Sequence, residues 1–338
     1  MNSSISSFRS RSEGAWRRFA ATLLVVAAVM LGGVVALAYA VDPYDSGRSS
    51  LFAKLGVRPQ GPRTAGASRG RDPAFDSAVV GNSHVQLLSP ERLKANTGLN
   101  FVQLAVPATG PKEQLVLVDW FLRHRTAPRA LVLGTDASWC TADRTLANAK
   151  PFPFWLYSAD PIAYARGLVR FDILEELPRR FGYVFGRNTA RARPDGYWDY
   201  EADYLGLGYG ANPVLRDRLE VHPGDGGPPN AAERFPAADA LRDLASALPR
   251  DLALILVFPP TYLAFQPALG TLRAAADEAC KAALRGAVAV HPGATVIDWR
   301  VDRPENRDPG HFFDQTHYRQ PIAEAVENDI AAALRGGE

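Results

Sequence analysis

SAVVGNSHVQLL, residues Ser77 to Leu88, passes from an apolar run through a turn into a helix-like stretch. Ala78–Val80 is a short β-branched apolar run that reads as a buried strand. Gly81-Asn82-Ser83-His84 follows as a turn, and the next stretch can start a helix. Asn100–Ala105, Ala130–Gly134, Leu252–Phe258 and Thr295–Trp299 are similar apolar runs bounded by turn or polar residues. Between and after them lie amphipathic stretches, Pro111–Arg123, Ala237–Ala247, Leu269–Leu284 and Ile322–Leu334. Strands alternating with helices predict an α/β fold with a parallel sheet of about five strands, covered by helices on both faces.

Upstream, Phe19 to Val41 is uncharged and mostly apolar, about 23 residues where roughly 20 span a bilayer as a helix. Arg9, Arg11, Arg17 and Arg18 precede it against Glu13, and Asp42 and Asp45 follow. The positive-inside bias predicts a single-pass anchor in the cytoplasmic membrane, with residues 1–18 as a cytoplasmic tail and the rest of the chain periplasmic or otherwise extracytoplasmic. Ala38-Tyr39-Ala40 leaves a cleavable signal peptide as the alternative, although the apolar run exceeds the usual signal core. Residues 42–73, rich in Gly, Ser, Arg and Pro, read as a linker to a domain at 74–338. Within that domain, residues 150–236 break the strand–helix rhythm and read as an aromatic-rich insertion or lid. Its rings serve either a small core or sugar stacking.

The 38 basic and 36 acidic side chains leave a charge of +2, without the field that nucleic-acid binding requires. Cys140 and Cys280 lie far apart with no metal-type spacing and read as two buried free thiols rather than a bridge.

A serine at the carboxyl end of a strand in an open parallel sheet stands where ligands bind. Alone, Ser83 reads equally well as a helix cap. Gly310–Tyr318, GHFFDQTHY, adds Asp314 and His317 just before the last amphipathic stretch. A serine hydroxyl needs a base, and the base needs a carboxylate to fix its tautomer. His311, Asp314 and His317 also fit a metal triplet if the segment is a loop, though no metal is expected. His84 reads as a helix-surface residue or a group steering substrate, and Asp298 as structural.

Gly-x-Ser after the first strand with Asp-x-x-His before the final helix resembles the SGNH (GDSL-type) hydrolases, over roughly Asp76 to Leu334. The similarity is greatest to their membrane-tethered branch, which acts in exopolysaccharide or cell-wall acyl transfer. The resemblance implies a flavodoxin-like three-layer α/β/α sandwich, Ser83 as nucleophile, His317 as general base and Asp314 as its orienting partner, with no cofactor. It also implies an ester-bearing glycan as substrate and a membrane-bound acyltransferase as partner. Gly110 falls where the family's oxyanion glycine is expected. Asp136 stands where an asparagine amide is expected, and Asn82 replaces the usual aspartate of the motif. An ionised Asp136 would repel an oxyanion, which leaves open a non-catalytic member that binds glycan or assembles with an export complex.

Overall fold

The computed structural model describes residues 4–147, 150–222, 230 and 234–336, with the side chains of residues 4–12, Arg9 and Arg11 among them, left outside the description. Residues 223–229 and 231–233 of the expected insertion also lie outside the described residues.

Five strands, β1 (Ser77–Val80), β2 (Phe101–Gln103), β3 (Ala130–Gly134), β4 (Ala253–Phe258) and β5 (Ala294–Asp298), form one sheet in the order β2-β1-β3-β4-β5. Every pairing is parallel. This is the flavodoxin-like order, with its switch point between β1 and β3, where the chain leaves β1 first to one side and then to the other. The expected strands and α/β class are all present.

The helices follow in chain order. They are α1 (Ser4–Val41), α2 (Pro62–Arg71), α3 (Pro90–Thr97), α4 (Pro111–Arg123), α5 (Phe154–Tyr157), α6 (Pro161–Gly167), α7 (Phe171–Val184), α8 (Glu201–Gly206), α9 (Pro213–Asp217), α10 (Pro236–Ala247), α11 (Leu272–Val288), α12 (Pro304–Arg307) and α13 (Gln320–Gly336). Alternation along each strand sends side chains to two cores. Ala78, Val80, Leu131, Leu133, Leu254 and Leu256 meet residues of α4, α10 and α11. Val79, Val132, Ile255 and Val257 meet residues of α3 and α13 on the other face.

Glu327 on α13 joins the two elements that flank the site. It is buried, and its carboxylate accepts from Ser89 N at 2.6 Å, Arg92 Nε at 2.6 Å and Arg92 Nη2 at 2.8 Å. Glu327→Ala leaves the Ser89 N–H without that acceptor, while the partly exposed Arg92 can turn to water. The variant is expected to lose about 1–3 kcal/mol, read from the midpoint of a urea titration.

Within α1, Glu13–Val41 is long and apolar enough to cross a membrane. The stretch after it differs from the expected linker. Asp42 is buried, accepting from Ser46 N, Ser46 Oγ and Gly47 N at 2.7–2.9 Å. Asp45, also buried, accepts from Ser68 Oγ and Gly56 N at 2.7 Å. The small residues that resemble a linker are there for close packing: a Cβ on Gly70 would lie 2.7 Å from the Trp120 ring. Residues 42–73 are therefore integral to the domain.

The two cysteines form a disulfide, which corrects the expectation of free thiols. The turn after β3 carries Cys140, and α11 packs against that turn, so the Cα atoms stand 5.5 Å apart despite 140 residues of separation. Spacing in the sequence could not reveal a proximity created by the sheet order.

Candidate active site

β1 ends at Val80 and the chain turns sharply through Gly81 into a single 3-10 turn, Ser83–Val85. Gly81 is required by close approach, since a Cβ there would stand 2.5 Å from Val85 Cγ2. Asn82 caps the turn by accepting from His84 N at 3.0 Å. The buried Gln103 amide then clamps it from β2, donating to Val85 O at 2.9 Å and Leu88 O at 3.0 Å. Ser83 is thereby fixed at the carboxyl end of the sheet, beside the switch point.

Asp314 and His317 arrive on the loop before α13. Phe312 pairs with Tyr318 as an isolated antiparallel bridge, and Phe313 N donates to His317 O at 2.9 Å. Asp314 Oδ1 closes this loop by accepting from Thr316 N and His317 N, both at 2.9 Å. The Asp314 carboxylate lies 2.8–2.9 Å from His317 Nδ1, and His317 Nε2 lies 2.9 Å from Ser83 Oγ. A proton on Nδ1 donated to Asp314 leaves Nε2 as the acceptor of the serine proton.

Burial works against the charge on Asp314. The His317 hydrogen bond and charge and the two backbone amides outweigh it and lower the carboxyl to about 2. Asp314 therefore stays ionised at neutral pH.

The insertion forms one wall. Tyr204 stacks on Phe313 with ring centres 5.0 Å apart and leans against His317 at 5.3 Å. Its hydroxyl donates to Asp314 Oδ2 at 3.4 Å, and Tyr200 Oη donates to Tyr318 O at 2.9 Å. Burial and the adjacent Asp314 raise the Tyr204 phenol, keeping it a donor. Neither tyrosine was singled out by its role in the sequence. The only signal was aromatic density in a segment without strand–helix rhythm.

On the other side, Asn82, Ser83, His84, Thr109, Gly110 and Asp136 help line a cavity of about 490 Å³. Asp136, which begins the turn after β3, accepts from Asn82 Nδ2 at 2.5 Å, Ser138 N at 2.9 Å and Ser138 Oγ at 2.5 Å, and lies 3.2 Å from His84 Nδ1. Burial opposes ionisation of Asp136, yet the hydrogen bonds and the His84 charge prevail and hold its carboxyl well below the usual range. His84 is thus a partner of Asp136, 5.4 Å ring to ring from His317, rather than a free surface histidine. Asp136→Ala removes four contacts at once and is expected to cost about 1–3 kcal/mol, measurable as a lowered chemical-denaturation midpoint.

The expected oxyanion donors are arranged differently. Gly110 N donates to Glu113 Oε2 at 3.1 Å as a capping box of α4, and Asn82 Nδ2 is held by Asp136. The Ser83 N–H, the first amide of its helical turn, has no acceptor among the described residues.

His311 does not join Asp314 and His317: its Nδ1 meets Glu305 O at 3.2 Å and its Nε2 lies 3.9 Å from Asp308. Asp298 is structural, binding Lys281, Arg285 and the Arg300 amide. No family model matches the sequence, and no curated protein is significantly similar to it.

Proposed function

We propose that this protein is a serine esterase or O-acyltransferase of SGNH type, held at the membrane by α1 and acting outside the cytoplasm on an ester-bearing polysaccharide or cell-envelope glycan. The observation that carries the chemistry is the continuous line from Ser83 Oγ through His317 to Asp314, with both links at 2.8–2.9 Å. Such a line converts a weak nucleophile into a competent one.

In the first half-reaction, the Ser83 hydroxyl passes its proton to His317 Nε2 as Oγ bonds the ester carbonyl carbon. The carbonyl oxygen becomes an oxyanion beside the Ser83 N–H. Collapse breaks the bond to the leaving alcohol, which takes the proton from Nε2, and an acyl-serine remains. Water or a sugar hydroxyl then gives its proton to Nε2 and attacks the acyl carbon, and the bond to Ser83 breaks as Oγ takes the proton back from Nε2. Asp314 stays ionised and steadies the imidazolium.

The Cys140–Cys280 disulfide supports an oxidising, extracytoplasmic location, because such bonds are rare in the cytosol. An anchored domain suits acyl delivery from a membrane-embedded partner.

Asp136 favours a second reading, a non-catalytic glycan-binding or assembly protein. Its carboxylate stands where the family's asparagine donates, and Gly110 N is already bonded. Turnover of a chromogenic acetyl ester by the full chain in detergent separates the two. The parent is expected to hydrolyse it, with His317→Ala inactive. Equal rates for parent and variant would remove the catalytic reading.

A further inference from the structure

Helix α7 carries apolar residues on two faces. Ile173, Leu177 and Tyr183 are buried in the domain. Phe171, Leu174, Pro178, Phe181 and Phe185 recur at intervals of three and four residues, which places them on one other face. Phe171 is 74% exposed, Leu174 49% and Phe185 67%. Phe52 and Phe181, partly buried against the core, join this face to the domain, the Phe52 ring centre lying 5.9 Å from both Phe181 and Phe185. A contiguous apolar patch of this kind marks an interaction surface.

What covers it follows from α1. Helix α7 packs alongside α1. The middle turns of α1 are exposed all round, but Val34 and Val35 are partly covered and Ala38 and Val41 are buried. Val34 precedes Val41 by about 10 Å along the axis at 1.5 Å per residue. The domain therefore overlaps the end of the apolar span by the depth at which interfacial amphipathic helices lie, about 5–10 Å into the leaflet. Tyr39, 36% exposed, stands near the same end with its ring 5.8 Å from that of the buried Tyr164, at a level where aromatic residues gather at a membrane surface.

We infer that the outer face of α7, together with Phe52, lies in the leaflet adjoining the domain, so that the domain rests on the bilayer instead of hanging from a tether. This inference depends on α1 being a retained membrane anchor. The native cysteines are bridged to each other and leave single introduced cysteines free for labelling.

The test uses the full chain reconstituted in phosphatidylcholine–phosphatidylglycerol liposomes, nitroxide-labelled in turn at F171C, L174C, V26C in mid-α1 and L272C on α11, where Leu272 is 75% exposed. Spin-label collision rates with oxygen and with a water-soluble nickel chelate report immersion. The oxygen-to-nickel ratio at F171C and L174C is expected to be several-fold above that at L272C and below that at V26C. Ratios at F171C and L174C equal to that at L272C, with V26C in lipid, would overturn the inference, keep the anchor and leave a protein as occupant of the face. An aqueous V26C would instead overturn the anchor reading, and the inference with it.

Discussion

Replacing Ser83 by alanine is expected to cut ester turnover by on the order of 10⁴-fold or more, with no loss of folded protein. The magnitude follows from the proposed chemistry, since Ser83 Oγ is the one hydroxyl that meets His317 Nε2 among the described residues. Stability should be spared because the Ser83 side chain makes a single hydrogen bond, to His317 Nε2, while the turn itself is held by Asn82, Gln103 and Val85. His317→Ala should match it, and the double variant should fall no further, because the two residues act as one unit. Rates from a chromogenic ester assay, with a thermal melt of each variant, decide the matter. An active Ser83→Ala would transfer the chemistry elsewhere.

Breaking the disulfide should have the largest effect on stability. Its sequence separation of 140 residues is long, and the chain-entropy relation gives about 5 kcal/mol for a loop of that length. Cys140→Ser combined with Cys280→Ser is expected to lower the melting temperature by roughly 10 °C. The parent should match the double variant in strong reductant, and reductant should not change the variant. A melt indifferent to both would mean the bond contributes nothing in solution.

The parallel α/β fold was legible because buried strands announce themselves locally. Ala130–Gly134 and Pro111–Arg123 are read to the residue from apolar runs and helical periodicity alone. Ser83, Asp314 and His317 were legible as a set because each sits at an element boundary and the three suit one chemistry. Residues 42–73 resemble a linker for a physical reason: glycine and serine permit close packing as readily as they permit flexibility, and only the partner surface, Trp120 and Tyr157, tells the two apart. Long-range pairings were silent. Nothing near Cys140 points to Cys280, and Tyr204 reaches Asp314 across 110 residues.

Asp136 is the departure that changes most in meaning. In the sequence it looks like a defect in an oxyanion hole. In the fold it organises Asn82, His84 and Ser138 around the cavity, so its negative charge is compensated before any substrate enters.

Whether Ser83 is the nucleophile can be read by site mapping of a fluorophosphonate adduct on the full chain at neutral pH. One phosphonylated residue is expected, Ser83, in the peptide carrying Gly81-Asn82-Ser83-His84, and no adduct in His317→Ala over the same interval. An unlabelled parent, or an adduct on any other side chain, would contradict that role.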